Sequence, residues 1–163
     1  MNKDMIVYYS KNGTTKETVE RIKNECKKKF DIFDLNSKSI MDLSKYDRII
    51  IGCGIYMSHL PSKIVEFIKS NSSQLQAKKV IFFVHGLIAE LKYDGIIESV
   101  VKKRMILNNY ETFYLGGKLN TKGQNFIVKQ MIRSIAKQNK LDTDNINTLN
   151  EQRISRFLCL LDN

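Results

Sequence analysis

Met5-Ile6-Val7-Tyr8-Tyr9-Ser10-Lys11-Asn12-Gly13-Thr14-Thr15 is the stretch whose reading decides the fold. Its first half, Met5 to Tyr9, is apolar at consecutive positions, the pattern of a short strand covered on both faces. Its second half crowds three hydroxyls, an amide and a glycine into Ser10 to Thr15. The residues that follow, Thr15 to Lys29, carry Val19, Ile22 and Cys26 at spacings of three and four, which predicts an amphipathic helix. A strand, a hydroxyl-rich turn and a helix in that order put the turn at a helix N-terminus. There the first backbone N–H groups have no intrahelical acceptor and the helix dipole favours negative charge. Gly13 allows tight turning, and the Ser and Thr hydroxyls can donate to phosphate oxygens. A plain helix cap, with Thr14 or Thr15 as capping residue and Glu17 in the first turn, needs one hydroxyl. This loop exceeds that need and reads as a phosphate cradle.

Working outward, further apolar, β-branched or aromatic runs recur at Phe30 to Leu35, Arg48 to Gly52, Lys79 to Val84 and Thr112 to Leu115. Helical spacing appears in Ser62 to Ser70, through Ile64, Val65 and Ile68, and in Asp94 to Met105, through Ile97, Val100, Val101 and Met105. Pro61, the single proline, stands where a loop ends and a helix starts. Asn36 to Tyr46 is the least regular crossover, with Ser44 capping at most a short turn. Alternation of this kind predicts an α/β protein with a parallel sheet, right-handed crossovers and helices on both faces. Ligands of such sheets lie beyond the C-terminal strand ends, which points to the loops after Tyr9, Gly52, Val84 and Leu115.

The bulk properties narrow the classes. With 163 residues, 42% hydrophobic and 27% charged, and no linker or repeat, the chain is expected to form one domain over 1–163. The longest apolar stretch, Val80 to Ala89, is interrupted by His85 and Gly86 and is far shorter than the roughly 20 residues of a spanning helix. Met5 to Tyr9 is too short for a signal-peptide core, so a cytoplasmic location is expected. Cys26, Cys53 and Cys159 are odd in number, far apart and without a Cys-x-x-Cys pair, so neither a disulfide framework nor a zinc site is expected. The net charge of +10 suits an acidic partner, a nucleic acid or an anionic membrane, although the lysines are spread along the whole chain.

Other nucleotide motifs do not fit. The Walker Gly-Lys-Ser/Thr is absent, and Gly52-x-Gly54 lacks the third glycine of a dinucleotide fingerprint because position 57 is Met57. Gly52-Cys53 stands where a receiver domain would carry its phosphoacceptor Asp, and His59 stands where a phosphatase loop would carry Arg.

Tyr9-Ser10-Lys11-Asn12-Gly13-Thr14-Thr15 resembles the flavodoxin phosphate loop, Ser/Thr-x-Thr/Asn-Gly-x-Thr, and Ile51-Gly52-Cys53-Gly54-Ile55-Tyr56-Met57-Ser58-His59 resembles the second flavin loop of that superfamily. The pair of loops is similar, more narrowly, to menaquinone-dependent protoporphyrinogen dehydrogenases and the flavodoxin-domain proteins grouped with them. The likeness extends to Lys129 to Arg133 and a final helix. It implies a three-layer flavodoxin-like sandwich with a five-stranded parallel sheet of order 2-1-3-4-5. It also implies FMN, its phosphate held by Ser10, Lys11, Asn12, Gly13, Thr14 and Thr15. The isoalloxazine would then lie between Cys53, Gly54, Ile55 and Tyr56 on one side and His85, Gly86 and Leu87 on the other, with Tyr56 stacking on it or edging it. His59 and His85, the only histidines, both fall in these loops, where either could donate to a flavin carbonyl or relay a proton. No residue need act as a nucleophile, and no metal is expected.

Two departures qualify the resemblance. Where many electron-carrying flavodoxins place a glycine near position 57 or 58, this chain has Met57-Ser58, which resist a positive φ, so strong stabilisation of one-electron-reduced flavin is not expected. Typical flavodoxins are acidic; at +10 a less negative potential is expected. Phe126 to Asn139 forms one amphipathic helix with Ile127, Val128, Met131, Ile132 and Ile135 on its apolar side. Lys129, Arg133, Lys137 and Lys140 make a basic stripe suited to an acidic redox partner or an anionic membrane surface where a quinone would be met. No nucleic-acid motif accompanies the charge. The leading expectation is an FMN-binding electron-transfer protein acting with a redox partner protein or a small-molecule or quinone acceptor. A protoporphyrinogen dehydrogenase-like enzyme with a quinone acceptor and a flavodoxin-fold binding module without cofactor are the alternatives.

Overall fold

The near-continuous apolar runs become strands covered on both faces. In the computed structural model, which describes residues 3–37, 42–87, 91–101, 107, 109–120, 125–138, 140–142 and 145–163, β1 (Asp4–Tyr9), β2 (Phe30–Asp34), β3 (Arg48–Gly54), β4 (Lys79–His85) and β5 (Tyr110–Tyr114) form one sheet. Its order is β2-β1-β3-β4-β5 and all four pairings are parallel, the topology expected from the resemblance. Val7 lies opposite Phe33 and Ile51, and Ile51 lies opposite Phe82, so the apolar centres of neighbouring strands are level.

Alternation along each strand divides the core into two layers. Met5, Val7, Ile49, Ile51, Val80 and Phe82 face α2 (Ser62–Ser70), α3 (Ser72–Gln76) and α4 (Leu91–Val101), meeting Ile64, Ile68, Leu75 and Ile97. Ile6, Ile50, Ile81 and Phe83 face α1 (Thr14–Glu25) and α6 (Glu151–Asp162), meeting Val19, Ile22, Ile154 and Phe157. At the N-terminal edge Asp4 and Arg48, both buried, form an ion pair, and Arg48 also donates to the Leu161 carbonyl at 2.6 Å, which ties β1 and β3 to α6.

The elements differ from the sequence expectation mainly at their ends. α1 stops at Glu25, short of Lys29, because the Asp162 carboxylate takes the Lys27 and Lys28 N–H groups at 2.8 and 3.1 Å and draws the chain out of the helix. Asp42, not Ser44, caps the short 3-10 turn Leu43–Lys45, accepting the Ser44 N–H at 3.0 Å. α4 begins earlier than Asp94 and is described to Val101, so the predicted end at Met105 lies outside the described residues.

The segment between β5 and α6 holds an unanticipated unit. β6 (Lys118–Asn120) and β7 (Asn145–Asn147) pair antiparallel, with α5 (Phe126–Gln138) between them in sequence. Ile132, Ala136 and Ile146 form its small core, with Leu87, Leu119, Val128 and Leu141 packed around it. Three-residue strands are too short to show a period in sequence. α5 closes with Lys140 at φ 54, its N–H on the Lys137 carbonyl and the Leu141 N–H on the Ala136 carbonyl. That pairing is a left-handed Schellman cap, whose apolar contact Leu141 supplies. No helix among the described residues is long and apolar enough to cross a membrane.

Candidate functional site

The C-terminal ends of β1, β3 and β4 bring the sequence-singled loops to one rim. Gly13 is the N-cap of α1 and sits at φ 91, a left-handed conformation that glycine adopts without strain. A Cβ there would meet nothing within 4 Å, so the residue is fixed by backbone geometry and the space beside it stays open. Its carbonyl accepts the first helical bond, from Glu17 N–H at 2.9 Å. Neither Thr14 nor Thr15 caps the helix. Ser10 Oγ lies 3.3 Å from the Lys16 nitrogen and takes its N–H from outside the helix. Thr14 and Thr15 N–H have no intrahelical acceptor at this end, where the dipole adds partial positive charge. Lys11 and Asn12 are exposed beside them.

The hydroxyls divide their work. Ser10 braces the loop, Thr14 donates to the Lys118 carbonyl at 3.3 Å, and Thr15 is buried. The loop therefore offers its backbone N–H groups more than the hydroxyls that first marked it. Two residues the sequence did not single out support it. Asn36 donates to the Ser10 carbonyl at 3.4 Å, and Lys63 Nζ donates to Asn36 Oδ1 at 3.1 Å.

Tyr56 shows what the loop offers an incoming oxygen. Its phenol oxygen accepts the Lys11 N–H at 3.3 Å, with Lys11 Nζ 5.6 Å from the ring centroid. Burial raises the Tyr56 pKa, while the Lys11 and Asn12 N–H groups pull it back by favouring negative charge on that oxygen. Gly54 makes room for the ring, since a Cβ at this position would come within 2.8 Å of the hydroxyl. Tyr56 and His59 exchange backbone hydrogen bonds of 3.1 and 2.9 Å across Met57 and Ser58. Met57 at φ 49 and Ser58 at φ 61 adopt the left-handed conformations of a type I′ turn despite their side chains. His59 donates through Nδ1 to the Met57 carbonyl at 2.6 Å and is held within its own turn.

The other predicted wall is turned inward. His85 is buried, with Nδ1–H donating to the Gly116 carbonyl at 2.8 Å and Nε2 accepting from Thr18 Oγ1 at 3.0 Å. Desolvation lowers its pKa to about 4, so it is a neutral brace joining α1 to the Gly116 turn. The Gly86 carbonyl accepts from Tyr114 Oη at 2.7 Å, and Leu87 packs into the α5 unit. Cys53 is fully buried in the core, where desolvation pushes its thiol up to about 12. It can give the rim only its backbone, as Ile55 does in donating to the His85 carbonyl at 2.8 Å. Thr18 and Gly116 carried no signal of their own, although Gly116-Gly117 is a turn dipeptide in a loop that topology had marked. Among the described residues no three His, Cys, Asp or Glu side chains gather as metal ligands.

Comparison with known proteins agrees with this layout. A family model described as flavodoxin domain matches residues 5–145. A protoporphyrinogen IX dehydrogenase [quinone] from Leishmania major is 26% identical over 110 residues, 65% of this chain and 48% of that protein. One from Escherichia coli K12 is 26% identical over 90 residues, 53% of this chain and 50% of that protein. The chain thus spans about half the length of these curated relatives. Among solved structures, a flavoprotein in complex with FMN from Lactobacillus acidophilus NCFM superposes with a TM-score of 0.56 at 15% identity, covering 72% of this chain and 93% of that one. The two-electron reduced flavodoxin of Megasphaera elsdenii also superposes with a TM-score of 0.56, at 20% identity, covering 68% and 84%.

Proposed function

The chain belongs to the flavodoxin domain family, and from that premise we propose that it binds FMN and transfers electrons through it. The observation that carries this reading is the loop at the start of α1. Gly13 holds the turn open, the first-turn N–H groups of α1 have no acceptor within the helix, and Lys11 N–H engages the phenol oxygen of Tyr56. A phosphate offers such donors more acceptor capacity and more charge than a phenol does. The residues fit the group: Lys11 to Thr15 would hold the phosphate by backbone N–H, with the cations of Lys11 and Lys16 nearby in sequence. FMN supplies the redox chemistry when bound. The protein's part is to fix the phosphate, to offer Gly54, Ile55 and Tyr56 at the end of β3, and to keep the rim rigid through His85. Tyr56 Oη, which takes the Lys11 N–H at 3.3 Å, would yield that donor to a bound phosphate and leave its ring available at the end of β3. A visible absorption spectrum before and after adding FMN tests the reading. A bound-flavin spectrum is expected, and a protein that stays colourless at micromolar FMN would leave a flavodoxin-fold binding module without cofactor.

A second reading is favoured by one specific feature. The β6–α5–β7 unit borders the rim through Lys118, which pairs with Glu17 of α1, and the curated relatives are named for protoporphyrinogen oxidation with a quinone. On this reading the chain is a dehydrogenase whose substrate and acceptor approach beside that unit. Anaerobic bleaching of bound flavin by a porphyrinogen, reversed by a quinone, is expected for the enzyme. Bleaching only by a reductase protein marks a carrier. The low net acidity, with 27 Lys and Arg against 17 Asp and Glu, supports a potential less negative than that of acidic flavodoxins.

A further inference from the structure

Asn36 and Lys63 lie outside the loops that topology marked, yet both reach the start of α1. Leu35 N–H continues the β1–β2 ladder to the Tyr8 carbonyl at 2.8 Å, and the chain then turns. The Asp34 carboxylate accepts the Asn36 N–H at 2.8 Å, which fixes the turn. The Asn36 side chain faces the end of β1, where Nδ2 donates to the Ser10 carbonyl at 3.4 Å. Lys63, in the first turn of α2, closes the chain of contacts. Its Nζ donates to Asn36 Oδ1 at 3.1 Å and lies 5.5 Å from the centroid of the Tyr9 ring.

Lys63 stands where a helix least favours a cation. The first turn of α2 carries no acidic residue, and the helix dipole puts partial positive charge there. Among the described residues no carboxylate pairs with Lys63. What holds it is the Asn36 oxygen and the face of Tyr9, a cation–π contact. The chemistry of these groups leaves one arrangement. An ammonium only donates, so the oxygen of the Asn36 amide faces Lys63 and its NH2 group faces Ser10. In a trans peptide the N–H of the next residue points opposite to the carbonyl. With the Ser10 carbonyl held by Asn36, that N–H is the one of Lys11, which meets Tyr56 Oη at 3.3 Å. Turned over, the same peptide would present a carbonyl oxygen to an anion.

We propose, on the premise that this loop holds the FMN phosphate, that Asn36 and Lys63 are its positioning residues. Lys63 sets the Asn36 amide, and the amide keeps the Ser10–Lys11 peptide with its N–H toward the phosphate. Ser10 is then held at both of its oxygens. Its Oγ takes the Lys16 N–H at 3.3 Å and its carbonyl takes Asn36 Nδ2, so the loop is tied to α1 and to the turn after β2. α2 packs on the sheet face opposite α1, and Lys63 reaches over the end of β1 to join the two sides. The ammonium also adds a cation beside the loop, which favours a phosphate over an uncharged ribityl end.

Equilibrium titration of the full chain with FMN and with riboflavin is the test, because the two ligands differ in the phosphate alone. Asn36→Ala removes the amide and leaves Lys63 and the backbone turn in place. It should weaken FMN roughly tenfold, the effect of one charge-assisted hydrogen bond, and leave riboflavin unchanged. Lys63→Met should weaken FMN roughly threefold or more, again with riboflavin unchanged. Lys63→Arg, whose side chain also only donates, should restore wild-type FMN binding. Both positions are exposed, so the urea midpoint of each variant should match wild type. Equal weakening of FMN and riboflavin would mark a merely structural part and overturn the assignment. So would Lys63→Arg binding FMN no better than Lys63→Met. A preference for FMN that is present in wild type and undiminished in Asn36→Ala or Lys63→Met would overturn the positioning and leave the phosphate site standing. No preference for FMN in wild type would overturn both together.

Discussion

His85 makes the stability of the fold dependent on pH over a defined window. Folded, the imidazole is buried and neutral, because Nδ1–H donates to Gly116, Nε2 accepts from Thr18, and desolvation holds the pKa near 4 against an ordinary 6.5. Unfolded, it takes a proton as soon as the pH falls below 6.5. The unfolded state therefore binds more protons across the interval, and stability rises with pH there. The contribution is complete above 6.5 and is lost progressively on acidification toward 4. The interval from 6.5 to about 4 corresponds to roughly 3 kcal/mol, at about 1.4 kcal/mol per pH unit. Urea unfolding at a series of pH values, for wild type and for His85→Gln, isolates the effect. Carboxylates and the exposed His59 are common to both proteins and cancel in the difference. The variant should be less stable near neutrality, and its disadvantage should shrink by roughly 3 kcal/mol between pH 6.5 and 4. Parallel curves across that range would refute the neutral brace. Because His85 joins α1 to the Gly116 turn, flavin retention should weaken over the same window.

Three further changes have outcomes set by the structure. Gly13→Ala puts a side chain at φ 91 with no clash, so strain alone should cost about 1 kcal/mol in urea unfolding and should loosen FMN in a fluorescence titration. Arg48→Met leaves the buried Asp4 carboxylate and the Leu161 carbonyl without their donor, and should cost about 3–5 kcal/mol, read as a large drop in the urea midpoint. Met57→Asn with Ser58→Gly supplies the residues a type I′ turn favours at φ 49 and 61, and should raise stability by about 1 kcal/mol in thermal unfolding.

What could be read in the sequence follows from which signals are local. Consecutive apolar residues in β1, β3 and β4 announce strands covered on both faces, and Gly13 between a strand and a helix announces the turn whose φ the structure shows. The helix start beyond β1 was legible for the same reason, because a helix N-terminus presents its donors whatever surrounds it. The division of labour within the site was not. Nothing in Ser10-Lys11-Asn12 reveals that Ser10 would brace Lys16, or that Thr14 would reach Lys118, more than 100 residues away in sequence. His85 sat in a promising loop, but its partners Thr18 and Gly116 come from α1 and the turn after β5, and only the folded sheet brings them to it. The α5 face was half legible. Its period of 3.6 gave the helix, while the side that would be buried depended on β6 and β7, which are too short to announce themselves.

The central claim is that the loop at the start of α1 holds a phosphate, and a comparison of FMN with riboflavin tests it most directly. The two ligands share the isoalloxazine and differ in the phosphate that Lys11 to Thr15 would hold. Equilibrium titration should show FMN bound about a hundredfold or more tightly than riboflavin, the effect of two or three charge-assisted hydrogen bonds at roughly 1.5 kcal/mol each. Equal affinity for the two, or tighter binding of riboflavin, would contradict the account.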